Sequence, residues 1–192
     1  MAYATYTTEG LVCGTFDKNT ADRSYLLFTK EAGMVFADAR SVRAEKSRQR
    51  YALQDFSKVR VSLVNGKAGW KIGSVEAVDN YYARAADKAA RGSVVSTVRF
   101  LRRFLRGEEA SPELFAYVIE TLDTLAMETE ERSFLEIATQ LQMLALLGYV
   151  NRKQLPEAAH NLEPDRLVSM YTPTLNNQLE KLHSQALQVS HL

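Results

Sequence analysis

The chain has 192 residues, 46% hydrophobic and 24% charged, which suits one or two ordinary globular domains with a core that needs neither disulfides nor metal. Cys13 is the only cysteine and cannot form an internal disulfide; with just three histidines beside it, His160, His183 and His191, a Cys-rich zinc site is excluded and a reducing, cytoplasmic setting is expected. The first residues lack a basic region followed by an apolar run, and no later stretch reaches the roughly 18 apolar residues of a membrane span, so secretion and membrane insertion are not expected.

The formal net charge of +1 hides an asymmetry. Residues 1–107 carry 19 Lys and Arg against 10 Asp and Glu, while residues 108–192 carry 5 against 13. A basic half of this kind suits a polyanion partner, although two halves that attract each other give the same totals.

The first 80 residues read as strands. Gly10 to Phe16, Arg23 to Thr29 and Gly33 to Arg40 are short runs rich in apolar, aromatic and Thr residues, separated by Asp17-Lys18-Asn19 and by a tight turn at Lys30 to Gly33. Ser41 to Ser57 fits no strand and is expected to hold a loop and a short helix. Lys58 to Val64 then alternates, with Val59, Val61 and Leu63 on one face and Lys58, Arg60 and Ser62 on the other. Asn65-Gly66 supplies the residues of a type I′ turn, and Trp70-Lys71-Ile72 begins the returning strand. Five strands of this length suit a small closed or partly closed barrel, which leaves no long exposed sheet edge.

From about Val78 the period becomes helical. Val94, Val98, Leu101 and Leu105 form one stripe, and Arg99, Arg102, Arg103 and Arg106 recur at i, i+3, i+4 and i+7 on another. Ser111-Pro112-Glu113 is a helix start, followed by an apolar face of Phe115, Val118, Ile119, Leu122 and Leu125. A helix from about Glu130 to Leu147, apolar on most sides, is expected to end at Gly148 and to form the centre of a helical core. The sequence is more polar after Tyr149, and a last helix starts at Thr172-Pro173 with Leu175, Leu179 and Leu182 on one side. The fold class is therefore α+β, a five-stranded barrel domain over residues 1–79 followed by a helical domain over 80–192.

Groups for catalysis are poorly represented. Gly66-Lys67 lacks the glycine five positions earlier and the following Ser or Thr of a phosphate loop. The histidines stand in the polar last third without a ligand-spaced partner and read as solvated or helix-terminal. Glu128, Glu130 and Glu131 beside a helix start are accounted for by the helix dipole, and Cys13 reads as a small buried hydrophobe in a strand. No enzymatic activity, metal or cofactor is expected.

What remains is a binding surface. Arg40 to Arg50 holds Arg40, Arg43, Lys46, Arg48 and Arg50 against a single carboxylate, Glu45, and flexible cations beside a small barrel suit phosphate contacts. Lys71 on the returning strand joins this set. Arg99, Arg102, Arg103 and Arg106 either extend the phosphate track or pair with the acidic helices that follow. Trp70, Tyr25 and Tyr51 are the candidates for stacking on bases, each set against an ordinary place in the core.

The stretch from Thr7 to Trp70 resembles the amino-terminal part of the RecO family of recombination mediators. The resemblance rests on Glu9 to Val12, on Phe28-Thr29 followed by Gly33, on Ala39-Arg40-Ser41-Val42-Arg43, and on Lys46-Ser47-Arg48 running into Ala52-Leu53-Gln54 and Phe56. Leu144 to Tyr149 is similar to the Leu-Leu-Gly-Tyr helix ending of the family's helical domain, so the likeness spans roughly residues 7 to 150. It implies an OB-fold barrel followed by a helical domain, binding to single- and double-stranded DNA, strand annealing, and assistance in loading recombinase. It also implies contacts with a RecR-like protein and with the acidic tail of single-strand-binding protein, in the cytoplasm at the nucleoid. Many family members carry a four-Cys zinc module after the Gly-Tyr position, which this sequence lacks, and Ser41 stands where the family has glycine. The competing expectation is a protein-only adaptor whose basic barrel face docks an acidic partner peptide.

Overall fold

The computed structural model describes residues 5–127, 129–160 and 163–189. The chain divides into two compact units, Met1–Arg84 with Arg106–Pro112, and Ala85–Leu105 with Glu113–Leu192. The expected division after residue 79 thus falls near the end of the last strand, and a short later segment returns to the first unit.

The first unit is a closed barrel of five strands, β1 (Thr5–Asp17), β2 (Arg23–Thr29), β3 (Gly33–Ala39), β4 (Ser57–Gly66) and β5 (Gly69–Asn80), in the order β1-β2-β3-β5-β4. This is the five-stranded OB-fold arrangement. The neighbours are antiparallel except β3 and β5, which run parallel through Ala37 opposite Trp70 and Asp38 opposite Lys71. Closure comes from β1, which shifts register between Val12 and Gly14 and so serves both β2 and β4. It starts earlier than the sequence pattern suggested because Thr5 already pairs with Val64.

The alternation in β4 has the anticipated consequence. Val59, Val61 and Leu63 are fully buried beside Val12, Leu27, Val35, Ala37 and Ile72, each such side chain contributing about 1.5–3 kcal/mol of transfer free energy. The hairpin is present, but its turn is not at Asn65-Gly66. Asn65 pairs with Trp70 and Gly66 with Gly69, so Lys67 and Ala68 form the tip. Neither tip residue has the positive φ of a type I′ turn; Gly69, at φ 88°, takes the left-handed position after the turn instead. The expected change to helix at Val78 is likewise corrected, since β5 continues to Asn80 opposite Ser57.

Two short helices belong to this unit, α1 (Gln49–Ala52) and α2 (Tyr81–Arg84). The second unit is built from α3 (Lys88–Phe104), α4 (Pro112–Leu125), α5 (Arg132–Leu146), the short α6 (Pro164–Leu167) and α7 (Pro173–Val189). Asp87 caps α3 by accepting the Ala90 N–H at 2.6 Å. Gly148, at φ 80°, ends α5: its N–H bonds the Ala145 carbonyl while the Tyr149 N–H bonds that of Leu144, the paired Schellman pattern. Phe134, Leu135, Leu141 and Leu144 of α5 are buried with Phe104, Leu125, Leu175 and Leu179, so α5 is the centre of this core as its apolar sequence indicates. Among the described residues no helix is long and apolar enough to cross a membrane.

Candidate nucleic-acid interface

The basic segment leaves the barrel at the end of β3. Val35, Ala37 and Ala39 point into the core, so Phe36, Asp38 and Arg40 take the outer face. Ser41 adopts a left-handed φ of 53°, and its N–H donates to the Asp22 carboxylate at 2.8 Å. The Arg43 N–H bonds the Ala21 carbonyl at 3.1 Å, and Val42 between them is fully buried in the barrel core. The far end is held by α1, where Gln49 Nε2 donates to the Gly73 carbonyl at 2.9 Å and Leu53 is buried. The backbone of the loop is thus anchored against the β1–β2 turn at one end and β5 at the other, with its cationic side chains exposed between. Hydrogen bonds from the Asn19 side chain and the Ser41 backbone hold the Asp22 carboxyl below its ordinary range, so the anchor keeps its charge.

Arg40, Arg43, Lys46, Arg48 and Arg50 are all exposed. Arg43 is partly committed, its Nη1 donating to the Asn19 carbonyl at 3.0 Å and lying 3.8 Å from Asp17. Arg40, Lys46, Arg48 and Arg50 make no ion pair among the described residues, and the Arg50 guanidinium lies 5.7 Å from the Tyr51 ring centre. Lys71 is half-buried, in register with Asp38 across the parallel β3–β5 pair. Arg106 is exposed in the segment that returns to the barrel unit, whereas Arg99, Arg102 and Arg103 are exposed on α3 of the helical unit. The loop and Lys71 belong to the barrel unit and the α3 arginines to the helical unit.

The stacking candidates separate sharply. Tyr25 is 1% exposed and Trp70 9%, and both are core residues; Tyr51 is 64% exposed and available. Trp70 spends its indole N–H on Glu108 Oε2 at 3.0 Å and meets the Tyr6 ring edge-on. Burial accordingly raises the Tyr25 hydroxyl above its ordinary pKa. The outer face carries a different pair, Phe16 on β1 and Phe36 on β3, with ring centres 5.6 Å apart and Phe36 60% exposed. Sequence reasoning passed over them as strand-forming apolars. The available signal was parity, because Phe36 alternates with Val35 and Ala37 and shares its face with Asp38. Burial alone would raise the Asp38 carboxyl, but hydrogen bonds from Lys18 and Ser24 outweigh it and keep the group ionised below its ordinary value.

The remaining chemical groups are dispersed. Lys67 is at a hairpin tip with no helix after it, unlike a phosphate loop. Cys13 is 2% exposed in β1. His160 Nε2 is 2.8 Å from the Leu155 carbonyl. His183 is neither solvated nor terminal: it is half-buried within α7, 2.8 Å from Gln140 Oε1 and stacked on Phe100, and burial lowers its pKa. Its burial depends on helix packing that local polarity does not reveal. Glu131 precedes α5 without a side-chain cap, while Arg132 donates to the Leu125 and Met127 carbonyls at the end of α4. Glu128 and His191 lie outside the described residues. No group of three potential ligands is close enough to hold a metal ion among the described residues.

Residues 1–81 match the family described as Recombination protein O N terminal. The chain is 31% identical over 149 residues to the DNA repair protein RecO of Myxococcus xanthus, covering 77% of this chain and 60% of that protein. Similar likenesses hold to the proteins of the same name from Bifidobacterium longum, 30% identical over 77% of this chain and 62% of the relative, and Geobacter sulfurreducens, 31% identical over 73% and 58%. The chain therefore spans about three fifths of the length of these relatives.

Proposed function

We propose, from the match of residues 1–81 to the family described as Recombination protein O N terminal, that the chain acts in DNA repair as a nonenzymatic mediator that binds DNA through its barrel. The observation that carries the reading is the pinned loop: Val42 buried in the core holds Arg40, Lys46, Arg48 and Arg50 outward as exposed cations beside the Phe36 face. OB barrels bind oligonucleotides over the face of strands 2 and 3 and through the loops after strands 1 and 4; Phe36 of the Phe16–Phe36 pair stands on β3, and the basic β3–β4 loop is bonded to the β1–β2 loop through Arg43 on Ala21 and Asn19. Cations neutralise phosphates and release counterions, whereas aromatic faces stack on unpaired bases. Their combination favours single strands, with duplex DNA held through phosphates alone. Strand annealing and recombinase loading follow as the roles of such a binder, with a RecR-like protein and the acidic tail of single-strand-binding protein as partners.

The test is a salt titration of binding to a single-stranded oligonucleotide by fluorescence anisotropy. Neutralisation of about five phosphates gives a slope of log affinity against log salt near −3.5, at roughly 0.7 per phosphate. Removal of Arg48 and Arg50 together flattens the slope by about 1.4 and weakens all sequences alike. Parent and variant with equal slopes and affinities would overturn the assignment of this loop.

A further inference from the structure

The helical unit carries a second concavity whose chemistry is opposite to that of the basic loop. A cavity of about 330 Å3 lies between α4, α5 and the start of α6, lined by Glu113, Ala116, Tyr117, Glu120, Gln142, Leu146 and Glu163. It adjoins a second hollow that shares Glu120 and Glu163 and adds Asp123 and Asp165. The helical spacing of Glu113, Tyr117 and Glu120 puts them on one side of α4, while Gln142 and Leu146 come from one face of α5.

Two wall groups distinguish this place from an ordinary acidic surface. Tyr117 and Gln142 are 8% and 7% exposed, and Tyr117 Oη and Gln142 Oε1 are buried with no hydrogen-bond partner among the described residues. Buried polar atoms are nearly always paired, so two unpaired oxygens of residues that line one cavity, themselves closed to solvent, are acceptors for a donor once their side chains turn toward it. Burial raises the Tyr117 hydroxyl well above its ordinary pKa and the Glu120 carboxylate adds to the effect, so the phenol stays protonated. Two rim carboxylates already take guanidinium partners: Arg152 Nη2 is 3.1 Å from Glu113 and Arg166 Nε 3.0 Å from Glu163. Glu120, shared by both hollows, makes no ion pair among the described residues.

We infer that this cavity receives an arginine side chain of a partner polypeptide, its guanidinium between Glu120, Tyr117 Oη and Gln142 Oε1. Acceptors spread over two helices suit the broad planar fork of a guanidinium better than the compact point charge of a lysine ammonium. Ala116 and Leu146 provide apolar wall for the aliphatic stem. The volume is at the lower end of ligand sites, suited to one side chain. The rest of the acidic rim favours a basic segment around that arginine. The inference concerns a protein partner of the helical unit and stands apart from DNA binding by the barrel.

The experiment uses the full chain, labelled with 15N, and three acetylated and amidated pentapeptides that differ only at a central arginine, lysine or citrulline. The arginine peptide is expected to shift the backbone amide signals of Ala116, Tyr117, Glu120 and Gln142 saturably. Lysine binds more weakly, and citrulline, which keeps the shape without the charge, gives no saturable shift. Glu120→Gln weakens the arginine peptide on the order of tenfold, and Tyr117→Phe weakens it without changing the preference for arginine over lysine. Both variants are compared at temperatures below a thermal midpoint measured for each, so a folding defect is separated from a binding defect. Equal shifts by arginine and citrulline, shifts spread over every acidic surface, or unchanged affinity in Glu120→Gln would each overturn the inference.

Discussion

Gly33, the first residue of β3, lies directly against the backbone of Glu109: a Cβ at Gly33 would stand 2.4 Å from the Glu109 carbonyl oxygen. The same approach is fastened by the Met34 N–H, which bonds the Gly107 carbonyl at 3.0 Å, and by the Trp70 indole on Glu108. The segment Arg106–Pro112, which separates α3 from α4 in sequence, is therefore an integral part of the barrel unit. Gly33 also has a φ of 65°, where a side chain is strained regardless of space.

Gly33→Ala is accordingly expected to destabilise the protein by about 2–4 kcal/mol, through overpacking against backbone that cannot move as a side-chain end can, together with left-handed strain. Urea unfolding followed by tryptophan fluorescence reports it directly, because Trp70 bonds the same segment. A midpoint equal to the parent's would show that Arg106–Pro112 is not docked there.

Ser41 makes the converse case. Its φ of 53° is one that serine adopts at a cost of roughly 1–2 kcal/mol, partly offset in a glycine variant by the extra freedom of the unfolded chain. Ser41→Gly should gain about 0.5–1 kcal/mol, read as a higher thermal midpoint. A lower midpoint would mean that the serine side chain contributes more than its backbone costs. The presence of glycine in the resembling family motif thus has a conformational reason at this position.

These two positions show what the sequence made legible. The alternation from Val59 to Leu63 encodes burial locally, and Gly148 encodes a helix end locally; both are visible without a fold. The tip at Lys67-Ala68 was displaced because Asn65-Gly66 satisfies a turn rule equally well until Trp70 is required opposite Asn65. The continuation of β5 past Val78 depends on pairing with Ser57 and Lys58, and the docking of Arg106–Pro112 depends on Gly33 and Met34. Such partners are distant in sequence. The cations of the basic loop were legible as composition, but the buried Val42 that orients them, and the unpaired Tyr117 and Gln142 beneath an acidic rim, exist only after packing.

His183 gives a pH dependence to the helical unit. Burial lowers its pKa below the unfolded value of 6.5, so the unfolded chain binds more protons across the window beneath that value. The sign is fixed: this contribution is fully present above the unfolded pKa and is lost as pH falls toward the folded one. The thermal midpoint should therefore decline between about pH 7.5 and 5.5 in the parent and decline less in His183→Gln, which keeps a polar group near Gln140. Identical pH profiles for the two proteins would remove His183 as the source.

The aromatic pair on the barrel separates stacking from charge. Phe36 is 60% exposed and paired with Phe16, and neither ring carries charge, so loss of Phe36 cannot alter the number of counterions released. Phe36→Ala should weaken single-stranded DNA binding by about 1–3 kcal/mol, the range for one stacked base, while leaving the salt slope unchanged. Duplex binding should be nearly unaffected because paired bases are not available to stack. The Arg48 and Arg50 double variant should do the reverse, flattening the slope and weakening both DNA forms. Arg43→Ala should have a smaller effect on slope than Arg48→Ala, since Arg43 already bonds the Asn19 carbonyl and lies near Asp17. Anisotropy titrations of the four variants at several salt concentrations distinguish these outcomes. If Phe36→Ala changed the slope, or weakened duplex and single strand equally, the rings would be acting through the fold of the loop and not as a stacking platform.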